Sequence, residues 1–286
     1  MDPQTAAHGD APRWPRVARN PSRPQTPMDV LGHRVGGGEL TLIAGPCAVE
    51  SEEQLMPLAR SLKAAGVQWI RGGAYKPRTS PYEFQGLGVE GLRLLATARD
   101  EFGLAVVSEA VDETSLARVE EWADVIQIGA RNMHNFELLK RAGRTRKPIF
   151  LKRGFSAQME DLLWAAEYIA NAGNPDILLC ERGIRTFSDH SRFTLDLSIV
   201  PRLLAASRLP VFVDPSHACG RREDIHALAR AAVAVGADGV MLEVHPDPES
   251  ARSDGPQSLS PDEFFGIASD LRHVHAALRS GEEVAT

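Results

Sequence analysis

Residues 41–73 have the sequence TLIAGPCAVESEEQLMPLARSLKAAGVQWIRGG, in which one amphipathic segment separates two short apolar runs. The runs at 41–44 and 67–71 are typical of strands that are buried on both faces. Between them, residues 54–65 carry apolar side chains at helical spacing, and Gly66 is suited to end the helix. A strand, a helix and a second strand in this order predict a parallel βαβ unit.

The same alternation continues along the chain. Further strand-like runs lie at residues 105–108, 125–128, 149–152, 177–180, 211–214 and 239–243. Helical patterns follow them at 91–102, 112–122, 136–142, 159–172, 197–207, 224–235 and 261–278. Eight strand–helix units in about 250 residues favour a (β/α)8 TIM barrel over an open sheet. Neither a GxGxxG nor a GxxxxGK[ST] motif accompanies them.

The composition excludes several classes of protein. No apolar run approaches the roughly 18–20 residues of a membrane span. The chain has 286 residues with 38 acids against 32 bases, a net charge of −6 that argues against general nucleic-acid binding. Three cysteines are too few for a disulfide framework, so we expect a reducing, cytoplasmic location.

The first 38 residues differ from the rest. They contain six prolines, five arginines and a Gly36-Gly37-Gly38 run, without a periodic apolar pattern. Such a segment buries too little surface to offset its ordering entropy, so we predict a disordered extension over 1–38 and a catalytic barrel over 39–286. Its acidic residues and its prolines argue against a transit peptide.

Charged or reactive side chains lie where the predicted strands end. All eight strands supply at least one, namely Cys47, Arg71, Lys76, Arg78, Glu109, Arg131, Lys152, Glu181, Arg182, Asp214, His217, Glu243 and His245. Because barrel enzymes build their sites at the carboxyl ends of the strands, this distribution predicts an active site at that rim.

Six of these residues are cations: Arg71, Lys76, Arg78, Arg131, Lys152 and Arg182. Converging buried cations need anions, which indicates a polyanionic substrate or two anionic substrates. The alternative is pairing with rim acids such as Glu109 and Glu181. We expect both, with acids orienting some cations and substrates meeting the rest.

A second subset could bind a metal ion. It comprises Cys47, His217, Glu243 and Asp254, with His245 and Asp247 nearby. A thiolate, an imidazole and two carboxylates suit a borderline divalent ion such as Mn²⁺, Fe²⁺, Co²⁺ or Zn²⁺. The spacing matches no metal signature, so structural roles stay equally open at this point. Cys180 and Cys219 lack comparable partners and are expected to be packing residues.

Seven strings together resemble one enzyme family. They are AGPCAVES (44–51), RGGAYKPRTSPYEFQGLG (71–88), QIGARN (127–132), LKRG (151–154), CERGIRTF (180–187), VDPSH (213–217) and EVHP with SDGPQSL (243–246, 253–259). They are similar to 3-deoxy-D-arabino-heptulosonate 7-phosphate (DAHP) synthases of the type I-beta branch, in order over 39–280. The resemblance implies a metal-dependent barrel at the first step of the shikimate pathway, which condenses phosphoenolpyruvate with erythrose 4-phosphate and releases phosphate.

The resemblance also implies residue roles. It assigns one divalent metal ion to Cys47, His217, Glu243 and Asp254, phosphoenolpyruvate to Arg71, Lys76, Arg131, Lys152 and Arg182, and erythrose 4-phosphate to Arg78, Thr79 and Ser80. Lys76 is our choice for proton delivery, because neighbouring cations lower a lysine pKa. With Lys76, the ligands Cys47 and His217 complete the set expected to be catalytic.

Three alternatives remain. A sister family makes 3-deoxy-manno-octulosonate 8-phosphate from arabinose 5-phosphate, but carries an Asn-containing segment where this chain has KPRTS (76–80). A Schiff-base aldolase would use Lys152 or Lys76 as nucleophile and leaves the Cys/His/Glu/Asp set unexplained. A non-catalytic barrel would be expected to lack a metal ligand or a clamp cation.

The resemblance implies a homodimer or a homotetramer and leaves room for a separate chorismate mutase partner. Residues 1–38 are too few for the regulatory domain that many relatives carry, so we expect no fused one. The chain also departs from the family pattern at Met133-His134 and at Arg192-Phe193. Neither pair touches a metal or clamp position, so we expect changed loop packing rather than lost activity.

Overall fold

The computed structural model describes residues 13–20, 22, 24, 25, 27–78 and 80–284, and of 281–284 it describes the backbone alone. Within these residues, eight parallel strands close into a barrel. The strands are β3 Thr41–Gly45, β4 Trp69–Arg71, β5 Ala105–Ala110, β6 Val125–Ile128, β7 Ile149–Lys152, β8 Ile177–Glu181, β9 Val211–Val213 and β10 Gly239–Glu243. Around the barrel, they pair in the order β10-β3-β4-β5-β6-β7-β8-β9. The predicted (β/α)8 barrel is therefore confirmed.

Helices follow the strands and cover the outside of the barrel, except for the short helix directly after β9, which lies at the carboxyl end of the strands. They are α1 Glu52–Ala64, α2 Val89–Phe102, α3 Glu113–Trp122, α4 Phe136–Ala142, α5 Met159–Asn171, α6 Ile199–Ala206, α7 Pro215–Cys219, α8 Arg222–Ala234 and α9 Pro261–Val284. Local sequence sets where several begin. Ser51 accepts a hydrogen bond from the Gln54 N–H at the start of α1, and Asp112 forms a capping box with Ser115 at α3. In the described part of the chain, no helix combines the length and the apolar character needed to cross a membrane.

The barrel interior is a packed aromatic and aliphatic core. The Phe212 ring lies 5.3 Å from Phe150 and 6.5 Å from Trp69, measured between ring centroids. Gly239 on the neighbouring strand makes room for this cluster, since a Cβ there would lie 2.2 Å from the Phe212 ring. A filled interior makes the barrel a rigid support for the residues at its rim.

A β-hairpin closes the amino end of the barrel. Its strands are β1 Met28–Val30 and β2 His33–Val35, paired antiparallel. Val30 and Val35 are buried and belong to the same hydrophobic cluster as the residues inside the barrel. The hairpin therefore covers apolar surface that the closed barrel would otherwise expose to water.

The described residues before Glu39 differ from the disorder that the sequence predicts. Residues 13–20 lie along the outside of the barrel, where the buried Glu167 carboxylate accepts the N–H groups of Arg16 and Val17, each at 3.1 Å. Local composition could not reveal this order, because the buried surface comes from the barrel and not from the segment itself. The prediction for residues 1–12, 21, 23 and 26 lies outside the described residues.

We predict that Val35→Ala lowers the free energy of unfolding by about 1–3 kcal/mol, because it removes apolar contacts at the closed end of the barrel. Urea denaturation measures the difference. The matched control is Arg34→Ala, which changes an exposed side chain on the same strand and should leave stability unchanged. Equal stability of both variants would show that the hairpin does not cap the barrel in solution.

Candidate active site

Four potential metal ligands meet at the carboxyl ends of the strands. Cys47 follows β3, His217 lies in α7 after β9, Glu243 ends β10, and Asp254 lies in the loop after β10. One ligand atom from each lies within 4.8 Å of the others. Residues that are distant in sequence thus converge as the candidate metal set requires.

The carboxylate of Asp214 orients the imidazole of His217. One Asp214 oxygen accepts the His217 backbone N–H at 3.0 Å, while the other lies 2.7 Å from Nδ1 and also binds Lys152 Nζ. This leaves Nε2 pointing at Glu243, 3.1 Å from its Oε1. Burial lowers the pKa of His217, but Asp214 and Glu243 outweigh burial and raise it to about 10.

Glu243 is held in place by two donors. Arg71 Nη1 lies 2.5 Å from one carboxylate oxygen, and Gln257 Nε2 donates to the other at 2.5 Å. Burial raises the pKa of this carboxyl, yet His217 and Arg71 outweigh burial and hold it well below its usual range. Glu243 is therefore an ionised carboxylate with a fixed orientation, as a metal ligand requires.

Cys47 contacts both an acid and a base. Its Sγ lies 2.9 Å from Asp254 Oδ2 and 2.9 Å from Lys76 Nζ. Asp254 has φ +55°, a left-handed backbone conformation that is uncommon outside glycine and aims this side chain at the cluster. One sulfur, one imidazole nitrogen and two carboxylates fit a borderline divalent cation, so the residues present suit a metal.

The pKa of Lys76 shifts in the direction opposite to our expectation. Burial lowers it, and Arg71 acts in the same direction. Cys47 and Glu109 outweigh both, so the pKa of Lys76 is raised. The sequence showed that other cations lie near Lys76, but it did not show that the Cys47 sulfur lies beside the Lys76 ammonium group.

A polar cavity of about 340 Å³ opens beside the cluster. Five of the six predicted cations line it: Lys76, Arg78, Arg131, Lys152 and Arg182. Arg71 does not, because its guanidinium lies behind the cluster against Glu243. Arg185 and Arg192 also line the cavity, although the sequence analysis had not selected them.

The acids expected to orient these cations have other partners. Glu181 forms an ion pair with Arg153 at 2.9 Å, and Glu109 accepts a hydrogen bond from Gln127 at 3.1 Å. Arg71 pairs instead with Glu243 at the end of β10, and Lys152 pairs with Asp214, directly after β9. Each pair joins two strands that are separated by one other strand in the barrel, an arrangement that sequence order does not show.

Arg182 is a buried cation without a carboxylate contact among the described residues. Its Nη2 donates to the His217 carbonyl at 3.2 Å, and its Nη1 has no hydrogen-bond partner there. Burial lowers the pKa of its guanidinium. An unpartnered buried donor at the wall of a cavity indicates an anionic ligand.

Of the segment predicted to hold erythrose 4-phosphate, Arg78 reaches the cavity. Its Nε bonds Glu83 at 3.0 Å and its Nη1 donates to Ser253 at 2.8 Å. It also lines a neighbouring cavity of about 680 Å³. Ser80 accepts a local backbone N–H and does not line the smaller cavity, while Thr79 lies outside the described residues.

The expectation that Arg192-Phe193 touches no metal or clamp position is wrong. Arg192 Nη1 lies 3.3 Å from Asp254 Oδ1 and 3.1 Å from Gln257 Oε1. The Phe193 ring centroid lies 4.5 Å from the Arg182 guanidinium carbon. The position of this pair in the loop after β8, at the carboxyl end of the barrel, is the feature that could have indicated these contacts.

Other candidates lie outside the metal cluster. His245 is buried, and its Nδ1 accepts the Asp247 N–H at 3.1 Å. Burial raises the pKa of the Cys180 thiol well above its usual value and also raises that of Cys219. Both cysteines fit the packing role that the sequence predicts.

Comparison with known proteins identifies the family. The model of the DAHP synthetase I family matches residues 22–279. A phospho-2-dehydro-3-deoxyheptonate aldolase of Thermotoga maritima is 52% identical over 262 residues, which are 92% of this chain and 78% of that protein. A 2-dehydro-3-deoxyphosphooctonate aldolase of Bradyrhizobium diazoefficiens is 34% identical over 274 residues, 89% of this chain and 96% of that one.

Solved structures agree with this assignment. The crystal structure of a Thermotoga maritima phospho-2-dehydro-3-deoxyheptonate aldolase (DAHP synthase) superposes with a TM-score of 0.89 at 51% identity, over 92% of this chain and 76% of that one. A truncated form of the Thermotoga maritima synthase gives 0.86 at 48% identity, over 92% and 96% of the two chains.

From the raised pKa of His217, we predict that metal binding at the cluster releases protons. With a pKa near 10, His217 is protonated at neutral pH in the metal-free protein, and a metal ligand must be neutral. Metal affinity should therefore rise about tenfold or more per pH unit from about pH 6 to about pH 8.

Competition with a chelator at several pH values measures this slope. A His226→Gln variant, changed on the surface of α8, should keep it. An affinity independent of pH would contradict a protonated His217 at the metal position.

Proposed function

The chain belongs to the DAHP synthetase I family, and on this premise we propose that its site condenses phosphoenolpyruvate with erythrose 4-phosphate and water. The products are 3-deoxy-D-arabino-heptulosonate 7-phosphate and phosphate, and the reaction is the first step of the shikimate pathway to chorismate and the aromatic amino acids. The observation that carries the proposal is the complete donor set of Cys47, His217, Glu243 and Asp254 beside a cavity lined with cations.

We propose these four residues as the ligands of one divalent ion, Mn²⁺, Fe²⁺, Co²⁺ or Zn²⁺. When bound, the ion supplies Lewis-acid polarisation of an aldehyde oxygen. The chain fixes the ligands through their own partners, since Arg71 and Gln257 hold Glu243. Arg71 is therefore a positioning residue for Glu243 in this proposal, rather than a direct contact of phosphoenolpyruvate.

The cavity cations divide between the two substrates. Arg131, Lys152 and Arg182, with Lys76, are proposed to bind the carboxylate and phosphate of phosphoenolpyruvate. Among these residues, Arg182 has the strongest support as an anion-binding group, because its buried Nη1 has no hydrogen-bond partner among the described residues. Arg78, with its neighbours Thr79 and Ser80, is proposed to bind the phosphate of erythrose 4-phosphate.

The proposed condensation needs one proton donor and one water molecule. Carbon C3 of phosphoenolpyruvate forms a bond to the aldehyde carbon of erythrose 4-phosphate, and water adds at C2. The bond from C2 to the phosphate oxygen then breaks, the C2 hydroxyl group becomes the ketone, and phosphate leaves with its proton. Lys76 is proposed to protonate the aldehyde oxygen, which becomes the new hydroxyl group, since its raised pKa keeps it charged, and the proton lost by water restores it.

Two rival activities have weaker support. The phosphooctonate aldolase from Bradyrhizobium is 34% identical, against 52% for the heptonate enzyme from Thermotoga, and this chain has KPRTS at 76–80. A Schiff-base aldolase needs an uncharged lysine nucleophile. Here Lys152 is held by the Asp214 carboxylate, and the raised pKa of Lys76 keeps Lys76 protonated.

We further propose a homodimer or homotetramer, with room for a separate chorismate mutase partner, on the family resemblance alone. A cytoplasmic location is proposed because the three cysteines, all described, are free.

The decisive assay measures phosphate release from phosphoenolpyruvate by chelator-stripped protein, before and after manganese is added. We expect activity only with manganese and only with erythrose 4-phosphate. Activity with arabinose 5-phosphate instead would assign the sister reaction. Activity that survives chelation, together with trapping by borohydride, would support the Schiff-base aldolase.

We predict that Lys76→Met lowers kcat by about 100-fold or more, because it removes the proposed proton donor. Steady-state kinetics with manganese measures the effect. Lys63→Met changes an exposed lysine on α1 and serves as the matched control, with kcat expected to be unchanged. A Lys76→Met protein that keeps most of its turnover would contradict the role of this residue.

A further inference from the structure

Two phenylalanine rings form part of the cavity wall beside Arg182. Phe155 lies in the loop after β7, and Phe193 lies in the loop after β8. The rings are stacked, with centroids 4.9 Å apart and an interplanar angle of 7°. Both line the cavity, so an aromatic surface adjoins the group with the unpartnered donor.

Arg182 differs from the other deeply buried cations of the site. Arg71 is paired with Glu243, and Lys152 is paired with Asp214. The Arg182 guanidinium carbon instead lies 4.8 Å from the Phe155 centroid and 4.5 Å from the Phe193 centroid. These distances are within the range in which the ring quadrupole attracts a cation.

Three further guanidinium groups surround the same pair of rings. The Cζ atoms of Arg131 and Arg185 lie 5.7 Å and 5.4 Å from the Phe155 centroid, and Arg192 lies 5.7 Å from Phe193. Four like charges at one surface repel one another, so each needs a local attraction to stay at the cavity.

The backbone holds the rings in position. Phe193 N–H donates to the Ala218 carbonyl at 2.8 Å, and the Phe155 carbonyl accepts the Arg185 N–H at 2.7 Å. Gly183, directly after Arg182, allows the close approach, since a Cβ there would lie 2.7 Å from Phe193 Cβ. The rings are thus fixed supports and not mobile covers.

We propose that Phe155 and Phe193 are positioning residues that hold the Arg182 guanidinium by cation–π attraction, ready for an anionic group of phosphoenolpyruvate. This inference rests on the proposed function for the identity of the anion. A carboxylate partner would neutralise Arg182 and compete with the substrate, whereas an aromatic face orients the cation and leaves its charge available.

The test replaces Phe155 or Phe193 with phenylalanines that carry increasing numbers of fluorine atoms, which weaken the ring quadrupole and largely keep the ring shape. Calorimetric binding of phosphoenolpyruvate to the manganese-loaded protein is the primary readout. We expect log Kd to rise steadily with fluorine number. Phe193→Leu should raise Kd about 3- to 30-fold, and Phe193→Tyr, which retains a ring face, should stay within about twofold.

Phe150 is the matched control, because its ring packs in the barrel interior against Phe212. Fluorination there should leave Kd unchanged. In turnover assays, the Phe193 series should raise KM for phosphoenolpyruvate while kcat and KM for erythrose 4-phosphate stay constant, a split that general loss of packing would not produce.

The outcomes separate this inference from the proposed function. A Kd that does not follow fluorine number, or that follows it equally at Phe150, would overturn the cation–π role. Wild-type protein that binds phosphoenolpyruvate without forming product would contradict the proposed function, and the binding series would still decide the role of the rings. Wild-type protein that does not bind phosphoenolpyruvate would overturn both.

Discussion

The fully buried carboxylate of Asp214 is the interaction on which the rest of the site depends. It caps α7 through the His217 N–H, fixes the His217 ring through Nδ1 and binds the Lys152 ammonium. Burial raises the pKa of Asp214, but His217 and Lys152 outweigh burial and hold it well below its usual value. One ionised group therefore orients the imidazole of the candidate metal cluster and a lysine of the cavity, so both parts of the site depend on a residue that lies directly after β9.

The candidate metal cluster and the cavity differ in how their charges are balanced. In the metal cluster, anionic and cationic groups are matched within the protein, as Glu243 with Arg71 illustrates. In the cavity, the cations outnumber the acids that contact them, and Arg182 lies against aromatic rings instead of a carboxylate. The excess positive charge is what a site for two phosphorylated substrates requires, because each substrate brings its own anions.

Most of the barrel could be predicted from local sequence. The runs at Val125–Ile128, Ile149–Lys152 and Gly239–Glu243 have the predicted boundaries, since continuous apolar residues mark strands buried on both faces. The hairpin before Glu39 could not be predicted in this way. Its buried valines contact residues inside the barrel, and a local pattern contains no information about such distant partners.

By itself, the sequence determined the barrel, the rim at which charged residues gather and the residue types of the candidate metal set, because the alternation of strands and helices and the residues that follow each strand can be read from local sequence. Only the tertiary structure decided which charges meet. In the folded protein, Arg71 lies against Glu243 and not in the cavity. The Cys47 sulfur lies beside Lys76, where it raises the pKa of the lysine, and the Phe193 ring contacts Arg182. Ion pairs and cation–π contacts depend on distances of a few ångströms between different loops, and those distances exist only once the barrel has closed.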